Sequence, residues 1–211
     1  MNKKNVQLTV KRIFDFFAAL LGTAVTSPVM LGTMVVIRAK SPEAPVIFRQ
    51  TRTGSGCKDF TVYKLRTMTN ATNENGELLP DEMRLEKWGK IIRNLSIDEL
   101  PQMMNILKGE MSFVGPRPIL PREMTVMTPE EQAERQSMPP GITGWEAVNE
   151  DKSDSRRRMA EFDLEYVRNW SLVFDVKILF LTAAQMVGKG RAADELRAPK
   201  LREEEIIDKR Q

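Results

Sequence analysis

Phe16 to Ile37 reads FFAALLGTAVTSPVMLGTMVVI, a run without one charged side chain. That is the length of a membrane-spanning helix by the rule of about 20 apolar residues. Ser27 and Pro28 sit near its middle. Proline has no N–H to give the Ala24 carbonyl and disfavours helical geometry at Ser27, so the pair predicts a helix break. In lipid the freed carbonyl needs a local donor, which the hydroxyl of Thr23, Thr26 or Ser27 can supply. Lys3, Lys4, Lys11 and Arg12 precede the run, and Arg38, Lys40, Arg49 and Arg52 follow it. The positive-inside rule therefore draws both ends to the cytoplasmic side. From Phe16 to the proline is about 18 Å of helix, at ~1.5 Å per residue, short of a ~30 Å hydrocarbon core. A re-entrant helix that bends at Ser27–Pro28 satisfies these residues, and so does a kinked single-pass anchor. No A-x-A-like site follows the run, which argues against a cleaved signal peptide.

The whole chain has 211 residues, 41% hydrophobic and 29% charged, enough for one folded domain beyond the apolar segment. The net charge of +3 says little, but basic residues crowd the first two thirds. A basic surface serves nucleic acid, anionic lipid or a phosphorylated substrate. The single cysteine, Cys57, excludes an internal disulfide framework. The chain contains no histidine. That excludes Ser-His-Asp triads, histidine zinc sites and imidazole general bases, and leaves carboxylates, Lys, Tyr, Ser, Cys57 or a hard cation. No Walker-A or dinucleotide-binding glycine fingerprint appears. Nucleic acid is not an expected partner, because no aromatic interleaving or known nucleic-acid motif accompanies the basic residues.

Beyond the apolar run, Val46–Phe48 and Phe60–Leu65 are strand-like and flank the turn-rich GSGCKD, which predicts a β-hairpin. Residues 69–81 read as a loop, and a helix is expected from Glu82 to Arg93. Another follows Asp98, with Leu100, Met103, Met104 and Leu107 spaced for a buried face and Gly109 as its stop. Thr128-Pro129-Glu130-Glu131 is a helix start with a capping box. Asn149 to Arg158 reads as a charged loop or exposed helix start. Trp170 to Val187 is apolar but carries Asp175 and Lys177. It reads either as a buried core helix or as one lying in the headgroup plane with Trp170 as anchor. The fold class expected is α+β, mostly helical with a small β-hairpin. The boundaries are a membrane helix over 1–40, a catalytic domain over 41–187 and a mobile tail over 188–211.

The sharpest chemical signal is Arg93-Asn-Leu-Ser-Ile-Asp98-Glu99-Leu-Pro101. Ser96-x-x-Glu99 is itself a capping box, but Pro101 would then fall beyond the first helical turn. A start at Ile97 or Asp98 keeps the proline in the tolerated turn. It also sets both carboxylates at a helix N-terminus, where the dipole keeps them ionised and favours phosphate. On this pattern alone a cap and a catalytic pair are balanced. Downstream, Phe113-Val-Gly-Pro-Arg117-Pro118 presents one guanidinium on a stiff backbone, which suits two-pronged phosphate recognition. Upstream, Tyr63-Lys64-Leu65-Arg66 ends a strand with two cations. Together they outline an anionic substrate.

These segments resemble the small monotopic phosphoglycosyltransferases, bacterial sugar transferases that start glycoconjugate assembly on polyprenyl phosphate. The resemblance is carried by KRIFD (11–15), Ser27–Pro28, Q-x-R-x-G (50–54), YKLRTM (63–68), SIDELPQ (96–102), KGEMSFVGPRP (108–118), PGITGW (140–145) and DLEYVRNWSLVFDVKI (163–178). It runs in collinear order over roughly residues 8–190. It implies a UDP-sugar donor, a polyprenyl phosphate acceptor, membrane lipids as surroundings and Mg²⁺ as cofactor. It implies Asp98 as a nucleophile that forms an aspartyl phosphosugar, with Glu99 assisting at the metal. Lys64, Arg93 and Arg117 match basic, phosphate-binding positions, and Ser27–Pro28 matches a re-entrant helix break with interfacial helices around it. The implied location is the cytoplasmic face of the bacterial inner membrane. One departure stands out. Where the family commonly reads Q-V-N-G-R after PGITG, this chain has Ala147-Val148-Asn149-Glu150-Asp151, and Pro139 stands where arginine is frequent. Asp151 reverses a charge near the expected donor site, which raises the alternative of a catalytically impaired, membrane-bound binding partner.

Overall fold

The computed structural model describes residues 3–149 and 155–186. Helix α1 (Lys3–Lys40) leads into a hairpin of β1 (Ile47–Thr53) and β2 (Asp59–Leu65). Two short helices follow, α2 (Asp81–Arg84) and α3 (Lys87–Asn94). A 3-10 segment (Ile97–Gln102) then runs directly into α4 (Met103–Lys108). After β3 (Ser112–Val114) come a second 3-10 segment (Pro121–Val126), α5 (Pro129–Arg135), β4 (Gly141–Thr143) and α6 (Trp145–Val148). Helices α7 (Arg156–Asn169) and α8 (Leu172–Met186) complete the described chain. The protein is thus mostly helical with a small antiparallel hairpin and one long apolar N-terminal helix, as expected from sequence.

Helix α1 runs without interruption through Pro28, so the expected break is not a gap in the helix. The proline removes one backbone donor, and Ser27 Oγ replaces it by donating to the Ala24 carbonyl at 2.8 Å. Thr23 and Thr26 spend their hydroxyls on the Ala19 and Gly22 carbonyls instead, each at 2.7 Å. One stripe of α1 packs on the rest of the protein along most of its length. Ala19 joins Val62, Ile106 and Met111, and Ile37 joins Leu65 and Ile92. Most other apolar side chains of α1 are exposed, among them Phe17, Leu21, Val25, Leu31 and Val35.

The hairpin is longer than its sequence signal, pairing Ile47 with Leu65 through to Thr53 with Asp59. Arg49-Gln50-Thr51-Arg52 lacks apolar alternation, which hid the strand. Its register puts Phe48, Gln50, Arg52, Lys64 and Val62 on one face and Ile47, Arg49 and Tyr63 on the other. The helix expected over Glu82–Arg93 is two helices, parted at Leu85 and Glu86. Gly89 is what lets α3 settle, since a Cβ there would stand 2.0 Å from the Thr67 carbonyl oxygen. In α4 the buried residues are Asn105 and Ile106, while Met104 is exposed. The expected apolar stripe is thus rotated, because Asn105 spends its side chain on the hairpin's Thr61 carbonyl. Gly109 ends α4 in the left-handed region at φ 86°. The capping box at Thr128 forms as read, with Glu131 and Thr128 bonded reciprocally.

The largest core gathers Val114, Trp145, Phe162, Tyr166, Trp170, Ile178 and Leu181 from β3, α6, α7 and α8. Trp170 is buried there and donates to Asp175 at 3.3 Å, so it is no surface anchor. Helix α8 is nonetheless apolar on both sides, with Ile178 and Leu181 inward and Val173, Val176 and Phe180 exposed. The tail expected to be mobile lies outside the described residues, as do Glu150 and Asp151.

Strands β3 and β4 pair in parallel, Ser112 with Gly141 and Val114 with Thr143. Just beyond, Gly115 donates to the Thr143 carbonyl at 3.0 Å and Gly141 to the Pro116 carbonyl at 2.9 Å. The GPRP and PGITG motifs are therefore one folded unit. A Cβ on Gly115 would lie 2.3 Å from the Pro139 carbonyl oxygen, whereas one on Gly32 of α1 would meet nothing within 4 Å. Gly115→Ala is expected to lose about 1–3 kcal/mol through overpacking against rigid backbone. Gly32→Ala is expected to gain up to about 1 kcal/mol of helix propensity. Paired thermal or denaturant unfolding of the two variants in detergent checks the sign of each.

Candidate active site

The 3-10 segment Ile97–Gln102 is entered through Ser96, whose φ of 54° places a non-glycine residue in the left-handed region. The Ser96 side chain caps nothing, so the capping-box reading of Ser96-x-x-Glu99 is set aside. The α-helical pattern proper starts at Met103, beyond Pro101, because proline is tolerated in the tighter lead-in and not in a helix interior. The reversal at Ser96 folds the end of α3 back toward the carboxylates, so Arg93 and Asp98 line the same cleft.

That cleft has a volume of about 890 Å³ and lies against one face of the hairpin. Its lining contains all five residues named from sequence as catalytic or phosphate-binding: Lys64, Arg93, Asp98, Glu99 and Arg117. Arg52, Arg66 and Arg84 add further cations, and Asp81 one carboxylate. The cleft is therefore electropositive, with a carboxylate pair at its floor. Lys64 Nζ holds Glu99 Oε1 at 2.6 Å, both side chains about one-third exposed. Arg93 donates through Nε to Thr67 Oγ1 at 2.8 Å, which leaves its other guanidinium nitrogens toward the cleft.

Asp98 is 9% exposed and Glu99 is more open, so the two neighbours differ in environment. Burial pushes the Asp98 carboxyl above its ordinary range; Lys64 pulls it down, adjacent Glu99 pushes it up and Arg93 pulls it down. Asp98 and Glu99 are the carboxylates in the cleft that could hold a hard divalent cation. No group of three or more Asp, Glu, Cys or His suited to a metal forms among the described residues. Magnesium is usually held by one or two carboxylates completed by substrate phosphates and water, and the pair fits that pattern rather than a closed protein cage.

Arg117 is positioned by residues that carried no assigned role in the sequence reading. Asp163 of α7 accepts the Arg117 backbone N–H at 3.2 Å. Arg135 of α5 donates through Nη2 to the Arg117 carbonyl at 2.5 Å. Arg135 and Asp163 are themselves joined through Nε at 3.1 Å and Nη2 at 2.5 Å, both fully buried. The ion pair thus clamps the Arg117 peptide from both sides, while its side chain stays half-exposed with Nη1 3.8 Å from Glu146. Burial pushes the Asp163 carboxyl up and the Arg135 guanidinium opposes it. The signal was present in the sequence: Asp163 shares the buried side of α7 with Phe162, Tyr166 and Val167, and a carboxylate there needs a partner. Arg52 entered the sequence reading only as a flanking charge and within the Q-x-R-x-G motif. It reaches the Pro118 carbonyl at 3.1 Å and Gln50 at 2.6 Å, tying the hairpin to the same loop.

Residues 6–189 match the family model for bacterial sugar transferases. The chain is 47% identical over 180 residues to the uncharacterized sugar transferase EpsL of Bacillus subtilis, covering 85% of this chain and 88% of that protein. It is 40% identical to the UDP-N-acetylgalactosamine-undecaprenyl-phosphate N-acetylgalactosaminephosphotransferase of Aeromonas hydrophila, over 82% of this chain and 42% of that protein. Identity to the UDP-glucose:undecaprenyl-phosphate glucose-1-phosphate transferase of Escherichia coli is 39%, over 84% of this chain and 40% of the relative. The chain therefore spans most of the first relative and about two fifths of the other two.

Two outcomes follow from the geometry. In metal-free protein, carbon-13 NMR of the Asp98 carboxyl is expected to titrate above the ordinary aspartate value. Lys64→Met is expected to move it higher, because Lys64 opposes the burial effect. Ionised Asp98 is then lost as pH falls through that raised value. Separately, Asp163→Asn leaves Arg135 buried and uncompensated, and is expected to cost about 3–5 kcal/mol in denaturant unfolding.

Proposed function

Because this chain belongs to the bacterial sugar transferase family, we propose that it transfers a sugar 1-phosphate from a UDP-sugar to polyprenyl phosphate, releasing UMP. The observation that carries this reading is the carboxylate pair Asp98–Glu99 on the floor of a cleft framed by Lys64, Arg93, Arg117 and Arg52. The cleft's size and positive character suit a nucleoside diphosphate sugar. The relatives whose names state a UDP-sugar and undecaprenyl phosphate support the donor and acceptor classes.

In the proposed mechanism an Asp98 carboxylate oxygen attacks the sugar-bearing phosphorus. The bond between that phosphorus and the bridging oxygen breaks, and UMP leaves with the electron pair. The sugar phosphate remains as an acyl phosphate on Asp98, a recognised route for carboxylate nucleophiles. A phosphate oxygen of the lipid acceptor then attacks the same phosphorus and restores the Asp98 carboxylate. Arg93 and Arg117 neutralise the phosphoryl oxygens, and Lys64 orients Glu99 through their 2.6 Å contact. Asp98 and Glu99 would hold Mg²⁺, whose chemistry when bound is to offset phosphate charge.

We also read α1 as re-entrant, with both ends on the cytoplasmic side of the inner membrane. It is the one described helix long and apolar enough to enter a bilayer. Its packing supports a return to the same side: Asp15 before Pro28 receives the Phe113 N–H, and Ile37 after it packs on Leu65 and Ile92. Residues on both sides of Pro28 thus lie against the same folded domain.

Two measurements test these readings. Wild-type protein mixed with UDP-sugars, without acceptor, should release up to one UMP per chain and gain the mass of a sugar phosphate. Asp98→Asn should show neither and lose about 10⁴-fold or more in turnover; full turnover by that variant contradicts the mechanism. In a Cys57→Ser background, cysteines at Lys4 and Pro42 should both react with an impermeant maleimide only from the cytoplasmic side. Labelling of the first from outside contradicts the re-entrant topology.

A further inference from the structure

A second cavity, of about 310 Å³, lies on the opposite face of the hairpin from the cleft, between α1 and α4. Thr23, Thr26, Met30 and Met34 form one wall, and Leu100, Pro101, Met103 and Met104 another. The hydroxyls of its walls are already spent inside the protein. Thr23 and Thr26 bond the Ala19 and Gly22 carbonyls at 2.7 Å, and Tyr63 OH accepts from Lys108 Nζ at 3.1 Å. Water in such a cavity lacks the two to four partners it needs, so hydrocarbon is the fitting occupant. Two cations, Arg49 and Lys108, also line it. Both are exposed; Tyr63 and Glu110 act on Lys108 more strongly than Arg49 does, and neither cation has a carboxylate within salt-bridge distance among the described residues. Nearby Glu110 is engaged by Asn105 Nδ2 at 2.8 Å. An apolar slot beside two exposed cations outside any salt bridge among the described residues is the complement of a lipid with an anionic head and a hydrocarbon tail.

We propose that this cavity binds an anionic membrane phospholipid, separate from the reacting acceptor. The proposal rests on the reading of α1 as a membrane helix. The separation follows from strand alternation. Arg49 and Tyr63 face this cavity, whereas Gln50, Arg52 and Lys64 face the cleft. A headgroup held by Arg49 and Lys108 is thus on the wrong side of the sheet to reach Asp98. The lipid still touches the catalytic segment from behind. Of the run Asp98-Glu99-Leu100-Pro101, the first two residues line the cleft and the last two line the lipid slot. Occupancy of the slot accordingly braces the turn that carries the carboxylates, and anionic lipid is expected to raise turnover.

The test uses the full chain in detergent and in nanodiscs, with phosphatidylglycerol and phosphatidylcholine as probes. Native mass spectrometry of wild type should show phosphatidylglycerol retained about tenfold to thirtyfold over phosphatidylcholine, the preference two cations near an anionic headgroup provide. Arg49→Gln/Lys108→Gln should abolish that preference. Thr26→Phe, which fills the slot, should lower retention of both lipids. In nanodiscs, phosphatidylglycerol should stimulate wild type only, and the double variant should match the wild-type rate in phosphatidylcholine. Equal phosphatidylglycerol retention by wild type and double variant overturns the site. A double variant that loses its phosphatidylcholine rate and its affinity for polyprenyl phosphate also overturns the proposal, because the slot is then the acceptor's seat. Absence of wild-type turnover in every lipid would count against the proposed transferase activity alone, since the retention measurements decide the site without it.

Discussion

Lys11 Nζ meets Asp175 Oδ2 at 2.7 Å in the protein interior, and the placement of the remaining parts depends on the turn of α1 around that pair. Asp175 also accepts from Tyr166 OH at 2.8 Å and Trp170 Nε1 at 3.3 Å, so its charge is surrounded by donors. One residue on, Arg12 donates to the Ile106 carbonyl at 2.5 Å and the Leu107 carbonyl at 2.8 Å, at the C-terminal end of α4. One turn further, Asp15 receives the Phe113 N–H of β3 at 3.2 Å. A buried charge without its partner is costly, so these contacts admit few alternative docking positions. Residues 11–15 thereby tie α1 to α8, α4 and β3 at once.

Each of those tethers leads to one side of the cleft. Helix α4 is continuous with the 3-10 segment that carries Asp98 and Glu99. Strand β3 runs into the Gly115–Pro118 loop that carries Arg117. Lys64 comes from the hairpin, whose Tyr63 N–H bonds Asn105 of α4 at 3.3 Å. Asp98, Lys64, Arg117 and α1 are therefore placed by hydrogen bonds that join the same few elements. The Arg135–Asp163 clamp extends it to α5 and α7. The cost of burying that many charges is offset by uniqueness of position, which the proposed phosphoryl transfer would need more than surplus stability.

Much of this was legible in the sequence because the informative residues are punctuated locally. The apolar run, the serine that replaces the proline's lost donor, the capping box at Thr128 and the stop at Gly109 are all short-range effects. The cleft residues were legible through the collinear motifs of the family, since the carboxylate pair alone was balanced against a helix cap. What stayed hidden is long-range. Nothing local marks Arg135 as the partner of Asp163, 28 positions away, or Arg12 as the cap of a helix 94 positions on. The stripe on α4 was misread for the same reason, and the choice between a buried and an interfacial setting for Trp170 stayed open. Periodicity reports an apolar side, whereas Asp175 and the Asn105 bonds to the hairpin decide which side turns inward.

The contrast between Asp98 and its neighbour bears on why a carboxylate suffices in a chain without histidine. Asp98 is nearly closed off and its basicity is raised by burial, whereas Glu99 is more open and held by Lys64. A buried carboxylate is a stronger nucleophile than a solvated one, yet it stays ionised near neutral pH only if cations offset the desolvation. Lys64 and Arg93 provide that offset without bonding Asp98 itself among the described contacts. The same burial limits water's approach to Asp98. In the proposed two-step chemistry the acyl phosphate must outlast the departure of UMP and the arrival of a lipid. In that proposed chemistry a shielded aspartate beside a partly buried, salt-bridged glutamate would meet both demands, reactivity toward phosphorus and resistance to hydrolysis, with two adjacent residues of the same chemical type.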